Sequence, residues 1–200
     1  MDGTTAAGHC AALVKEADPA RFVGALFAPE ATRRRLLALY ALDAELRRVP
    51  LAAREPMIVA IRYQWWRDAV TGLPEATRGH PVLGELALAG LPAADLIALI
   101  DAREGGAEPA IAEGNLIAAA ARMCGAPDGD NPIAMAAGIA IVTGSRDALE
   151  AARAAWRAVR KARRAELPAY LPATFVDARH PVTAFRLHWR VLTKALRNRF

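Results

Sequence analysis

Residues 29–50 read PEATRRRLLALYALDAELRRVP. Proline suits the start of a helix, where its missing N–H is no loss, so Pro29-Glu30 marks an opening. From there Leu39, Leu42, Leu46 and Val49 recur at the helical repeat. Pro50 is then expected to stop the helix at about Val49. The same punctuation repeats on either side. Asp18-Pro19 joins a capping side chain to a proline at the first helical position. Glu55-Pro56 starts a third helix, through Ile58, Ile61, Trp65 and Ala69, ending at Gly72. Further helices are expected near 81–89, 93–103, 109–124, 132–143, 146–166 and 182–199. No stretch alternates apolar and polar residues for long enough to be a strand. The fold class is therefore all-α, a single helical-bundle domain over residues 1–200, with 182–200 as a basic amphipathic C-terminal helix.

Composition agrees. The chain has 200 residues, 54% hydrophobic and 24% charged, which suits one globular domain. Alanine and leucine dominate, and both lose little side-chain freedom in a helix. Net charge is +5 but unevenly placed. Residues 153–200 carry twelve Lys/Arg against Glu166 and Asp177, a net of +10, while residues 1–152 carry fourteen against nineteen, a net of −5. Cys10 and Cys124 form neither a disulfide framework nor a zinc spacing, which fits a reducing cytosol. The first ten residues have no basic start and no apolar run, so no signal peptide is expected. The longest apolar run, Ile133–Val142, falls short of the roughly 18–20 residues of a spanning helix and reads as a buried core helix.

Three stretches then resemble the squalene/phytoene synthase family. The first is Leu26-Phe27-Ala28-Pro29, then Arg33, leading into Ala38-Leu39-Tyr40-Ala41-Leu42. The second is Arg62-Tyr63-Gln64-Trp65-Trp66-Arg67-Asp68-Ala69-Val70. The third is His80-Pro81-Val82, followed by Leu99-Ile100-Asp101-Ala102-Arg103-Glu104. Their order and spacing agree over about residues 10–125 and fade beyond, so the resemblance implies an isoprenoid synthase fold in shortened form. The R-x-Q-W-W-R-D-A pattern, and Glu45-Leu46 followed by Val49, look like a branch of the superfamily that includes the mitochondrial complex I assembly factor. That likeness implies a scaffold or assembly role. It makes Arg33, Tyr40, Arg47, Arg48, Arg62, Trp66, Arg67 and Asp68 candidate pocket or partner-binding residues.

In the family, magnesium ions neutralise the departing diphosphate of an isoprenoid substrate, and carboxylates hold the metal. Two acidic residues four apart share one helix face, so D-x-x-x-D presents both to one ion cluster. Aligned on residues 38–42, the first such motif falls on Arg47-Arg48-Val49-Pro50-Leu51, and no D-x-x-x-D occurs anywhere in the chain. Glu104 and Glu108 have the spacing but straddle Gly105-Gly106. The expected function is a non-catalytic binding or assembly factor; the alternative is a divergent prenyl transferase. No cofactor is expected, and magnesium enters only under that alternative.

Asp43 with Arg47, and Glu45 with Arg48, stand at helical spacing and read as surface ion pairs. Tyr40, Trp65 and Trp66 either line an isoprenoid-sized cavity or are plain core. His9, His80, His180 and His188 show no metal or triad spacing, and His80-Pro81 and His180-Pro181 read as turn or helix-entry positions. Near the C-terminus, Phe185, Trp189, Leu192 and Leu196 share a face that is expected to dock on the domain. Arg186, Arg190, Lys194 and Arg197 form a neighbouring stripe, a candidate surface for an acidic protein or an anionic membrane. A protein or lipid partner is expected, and a place in the cytoplasm, peripheral to the inner membrane. The tail lacks exposed-looking aromatics for base stacking, so nucleic acid is not an expected partner.

Overall fold

The structure, a computed structural model, describes residues 5–53, 55–75, 77, 79–106, 108–127, 131–175 and 192–197. Among them every regular element is a helix. They run in the order α1 (Ala6–Ala17), α2 (Pro19–Ala25), α3 (Glu30–Ala52), α4 (Pro56–Thr71), α5 (Pro81–Ala89), α6 (Ala93–Gly105), α7 (Pro109–Met123), α8 (Pro132–Thr143) and α9 (Arg146–Val159). Short turns of helix follow over Arg164–Glu166, Leu167–Tyr170 and Leu171–Phe175. Prolines open α2, α4, α5, α7 and α8, as the sequence predicts. The Asp18 carboxylate accepts from the Arg21 N–H at 3.0 Å, capping α2.

Helix α3 is the axis of the bundle. Every residue from Leu36 to Ala44 is buried, so the helix is enclosed on all sides, packed against α1, α2, α4, α5, α6 and α7. At its start Arg34 forks onto the buried Glu85 of α5 at 2.5 and 2.9 Å, and Arg35 donates to the Ala89 carbonyl at 2.8 Å.

Pro50 does not stop α3; the helix continues through Ala52. A proline inside a helix leaves the carbonyl four residues earlier without its donor. Here that carbonyl is Leu46, and the buried Tyr63 hydroxyl of α4 lies 3.3 Å from it as a replacement donor. The Arg103 carbonyl lies 3.4 Å from the same hydroxyl, which serves both acceptors.

Two further expectations are corrected. The face of α4 turned to the core carries Tyr63, Trp66, Ala69 and Val70, while Ile58 and Ile61 point outward. Helix α9 ends at Val159 and not near residue 166. Its buried face stops with Trp156, and beyond it Arg157, Arg160, Lys161 and Arg164 would crowd like charges at helical spacing. The chain tightens instead into a turn in which Arg163 grips the buried Glu166 at 2.5 and 2.6 Å.

Helices α7 and α8 cross backbone to backbone. A Cβ placed on Gly138 would meet the Gly114 nitrogen at 2.5 Å, so this crossing excludes any side chain. Ile133, Ala134, Ala137 and Ala140 bury one side of α8 as expected, while Ile139 and Val142 face outward. Both cysteines are buried, and burial pushes each thiol up to about 12. No helix among the described residues is long and apolar enough to cross a membrane.

Most of the stretch expected to form the C-terminal helix, with Phe185, Arg186, His188, Trp189 and Arg190, lies outside the described residues, as does His180. Within 192–197 it is Ala195 that packs on the core, whereas Leu196 is 74% exposed and Leu192 37%. The described turn thus does not dock through the leucine face. Arg160, just past the end of α9, holds it by donating to the Arg197 carbonyl at 3.3 Å.

If Tyr63 replaces the amide that Pro50 lacks, Tyr63→Phe should cost about 1–2 kcal/mol in a denaturant titration. In a Pro50→Ala background, where the substituted alanine restores an N–H for the Leu46 carbonyl, the cost should shrink. Equal costs in the two backgrounds would show that the hydroxyl serves only Arg103.

Candidate functional site

Four helices bring charged side chains into the interior of the bundle. Asp43 of α3 is fully buried. Its Oδ1 accepts from Arg103 of α6 at 2.7 Å, and its Oδ2 faces Arg47 Nε at 3.1 Å, an ionic contact without an aligned hydrogen bond. Arg103 also donates to Glu113 of α7 at 3.2 Å. Glu113 pairs in turn with the buried Arg21 of α2, which pairs with Asp18. Arg47 Nη2 completes the chain 3.7 Å from Asp18. Three carboxylates therefore face three guanidiniums, and the group is neutral. Tyr40 forms its floor, with the Arg21 guanidinium 5.6 Å from the ring centre, and burial pushes the phenol pKa up.

This corrects the reading of Asp43 and Arg47 as a surface pair. The spacing is right, but the carboxylate is not at the surface: Asp43 shows no exposure, and Arg47 is half-buried at 36%. Sequence reasoning missed Asp18, Arg21, Arg103 and Glu113 as members of one cluster. A signal existed in Glu113, a lone carboxylate in the alanine-rich stretch Pro109–Met123, buried between Ala112 and Gly114.

A second feature is an open cleft of about 350 Å³ between α3 and α4. Glu45, Arg48, Val49 and Ala52 form one wall; Arg62, Trp65 and Trp66 form the other. Arg48 and Glu45 do pair near the surface, at 3.7 Å. The indole rings of Trp65 and Trp66 meet edge-on at 4.9 Å, and the His80 ring stands 5.2 Å from Trp66. His80 caps α5, its Nδ1 accepting from the Val82 N–H at 3.3 Å. Burial lowers its pKa, against the nearby Glu45 carboxylate, which raises it, while His9 lowers it further.

The candidate residues therefore divide. Arg48, Arg62 and Trp66 meet in the cleft, while Tyr40 and Arg47 join the buried cluster. Arg67 ties α4 to α6, donating to Asp101 at 2.8 Å and pairing with Glu104; Asp68, exposed beside it, accepts from Gln64 at 2.8 Å. Arg33 stands apart in a separate cleft of about 400 Å³ with Cys10, Arg34 and Glu85, its Nε buried without a hydrogen-bond partner. Arg186 and Arg190 lie outside the described residues; Arg197 is exposed, and Lys194 is half-buried and engaged.

Among the described residues, the carboxylates of this cluster do not fit a magnesium ion. Both oxygens of Asp43 face guanidiniums, Glu113 is shared between Arg21 and Arg103, and Arg47 puts a cation where the aligned motif needs a carboxylate. Among the described residues, no group of three His, Cys, Asp or Glu side chains is placed to hold a metal.

Removing one partner of a buried ion pair strands the other charge, so Arg103→Met should cost about 3–5 kcal/mol in equilibrium unfolding. Adding Asp43→Asn should recover part of it. A loss below about 1 kcal/mol, the scale of an exposed pair, would show that water reaches the cluster. His80 generates a pH dependence. Its folded pKa lies below the ordinary 6.5, so as pH falls the unfolded chain takes up this proton first. Its contribution is complete above about pH 6.5 and is lost as pH drops through the window beneath. His80→Asn keeps a capping side chain and should flatten that part of a stability–pH profile; an unchanged slope would assign it to other groups.

Comparison with known proteins places this architecture. No curated protein and no solved structure matches the chain. The family description for squalene/phytoene synthase matches residues 14–113, half of the chain, spanning α2 to α6, the end of α1 and the start of α7. With its all-α bundle and that match, the chain belongs to the squalene/phytoene synthase family.

Proposed function

We propose that this chain is a non-catalytic family member that acts as a binding or assembly factor. The observation that carries the reading is the neutral cluster around Asp43. Ionising an allylic diphosphate needs carboxylates free to hold metal, and here the carboxylates of the interior are tied to arginines. Substituting guanidinium for carboxylate at residue 47 reverses the local charge, so the position repels a cation instead of binding one. What remains is a rigid scaffold whose outer cleft, with Arg48, Arg62 and Trp66, offers cationic and aromatic contacts to a partner. The likeness of the Arg62–Val70 segment to the complex I assembly branch supports respiratory complex I assembly as the process served.

The alternative is a divergent prenyl transferase. Family membership favours it, as do the two arginines of the cleft, which suit a diphosphate. It requires metal ligands that the sequence does not supply as D-x-x-x-D.

Purified full-length protein with magnesium should leave farnesyl and geranylgeranyl diphosphate unconverted. Metal-dependent product formation by clean protein would overturn the non-catalytic reading. Separately, deleting the gene in its host should lower NADH:quinone oxidoreductase activity of the membranes, and restoring the chain should recover it; unchanged activity would sink the complex I assignment alone.

A further inference from the structure

The junction of α3 and α4 leaves more apolar surface uncovered than any packing need explains. Leu51, in the last turn of α3, is 84% exposed. Across the turn Met57 is 75% exposed, Ile61 61% and Ile58 40%. Pro56 and Ala60 between them are exposed as well, and only Val59 is half-covered. Residues 56–61 thus form an apolar run that stands in solvent on nearly all sides. Helix α4 turns its core-facing residues inward only from Tyr63 onward.

Shape and charge identify what would cover this surface. Side chains three-quarters exposed protrude; they are not the half-buried walls of a groove shaped for a peptide. Behind the protruding tip sit cations. Arg48 is 57% exposed, and Arg62 is exposed and makes no ion pair with a described residue. The sequence adds Arg54 between the two helices. Opposing them are Glu45, already beside Arg48, and the exposed Glu55. Trp65 stands half-buried one turn behind Ile61 and Arg62, at the boundary between tip and body. An apolar tip backed by arginines and a tryptophan matches the layered chemistry of a bilayer face, where acyl chains would take the tip and phosphates the arginines behind it.

We propose that the tip formed by Leu51, Met57, Ile58 and Ile61 docks this protein on an anionic membrane surface, with Arg48 and Arg62 meeting lipid phosphates. The inference does not depend on the non-catalytic reading, because the tip lies outside the ion-paired interior. It differs from the C-terminal stripe in combining apolar insertion with charge. Binding should therefore weaken in salt without vanishing, whereas a purely ionic contact is screened away.

The test uses full-length protein and sedimentation with vesicles of phosphatidylcholine plus phosphatidylglycerol, or of phosphatidylcholine alone. The wild type should bind the mixed vesicles more tightly than the neutral ones. Met57→Ser with Ile61→Ser should weaken that binding about tenfold or more, since apolar burial sets the affinity of such contacts. Arg48→Gln with Arg62→Gln should abolish the preference for phosphatidylglycerol. Thermal melts should be unchanged, the altered side chains being exposed; should the serine pair unfold the protein, Leu51→Ser alone gives the same comparison. Vesicle binding that is absent in the wild type, or untouched by the tip substitutions, overturns the proposal. So does binding lost only on changing Arg186, Arg190, Lys194 and Arg197 to glutamine. Self-association abolished by the serine pair, with vesicles ignored, assigns the tip to a second copy of the chain and overturns it as well.

Discussion

The Asp43 carboxylate sits where water cannot reach it, and Arg103 makes that placement tolerable. A lone charge in such a site costs several kcal/mol, so its partners must be present and aligned. Arg103 comes from α6 and stretches on to Glu113 of α7, which meets Arg21 of α2. Four helices thus share one requirement: each must sit at the height and rotation that brings its charge to the next. Apolar contacts tolerate small slides of a helix better than directional guanidinium–carboxylate contacts do. The cluster is best understood as fixing the register of the bundle more than as adding net stability, since apolar residues of equal volume would pack as well.

The same balance shapes the electrostatics of the interior. Three positive and three negative groups are paired with one another, so the cluster carries no net charge. On the proposed reading the bundle keeps its family's framework while charges that face a ligand elsewhere in the family face each other here. The features that could attract a partner lie on the outside of α3 and α4: an aromatic cleft edged by Arg48 and Arg62, and the apolar tip beyond it.

Much of the fold is legible in the sequence, for local reasons. Pro19, Pro56, Pro81, Pro109 and Pro132 announce helix starts because their effect is confined to one turn. The Ala38–Leu42 segment carries the family likeness and is buried as its composition implies. What escapes depends on contacts distant in sequence. Pro50 reads as a stop because nothing nearby reveals that Tyr63 will supply the missing donor. The pairing of Asp43 with Arg47 follows from spacing, yet its burial follows from Arg103, sixty residues away. Ile58 and Ile61 suit an inward face by hydrophobicity, and only the placement of Tyr63 and Trp66 against the core turns them outward. The end of α9 is open to a better reading, since the cluster of cations after Arg157 is visible in the sequence itself.

The burial of Cys10 and Cys124 gives the protein two internal clocks. A thiol held near pKa 12 is almost wholly protonated at neutral pH, and its sulfur is screened from reagents while the fold stays closed. Alkylation under native conditions is therefore gated by opening, and its rate counts how often the surrounding helices part. The two cysteines time different events. Cys10 lies on α1, which packs on α3 and α5 near the start of the chain, whereas Cys124 caps the end of α7, the helix that packs on α8. A reagent that marks Cys10 first would reveal fraying of the amino-terminal helix, and equal rates would mean that the bundle opens as one body.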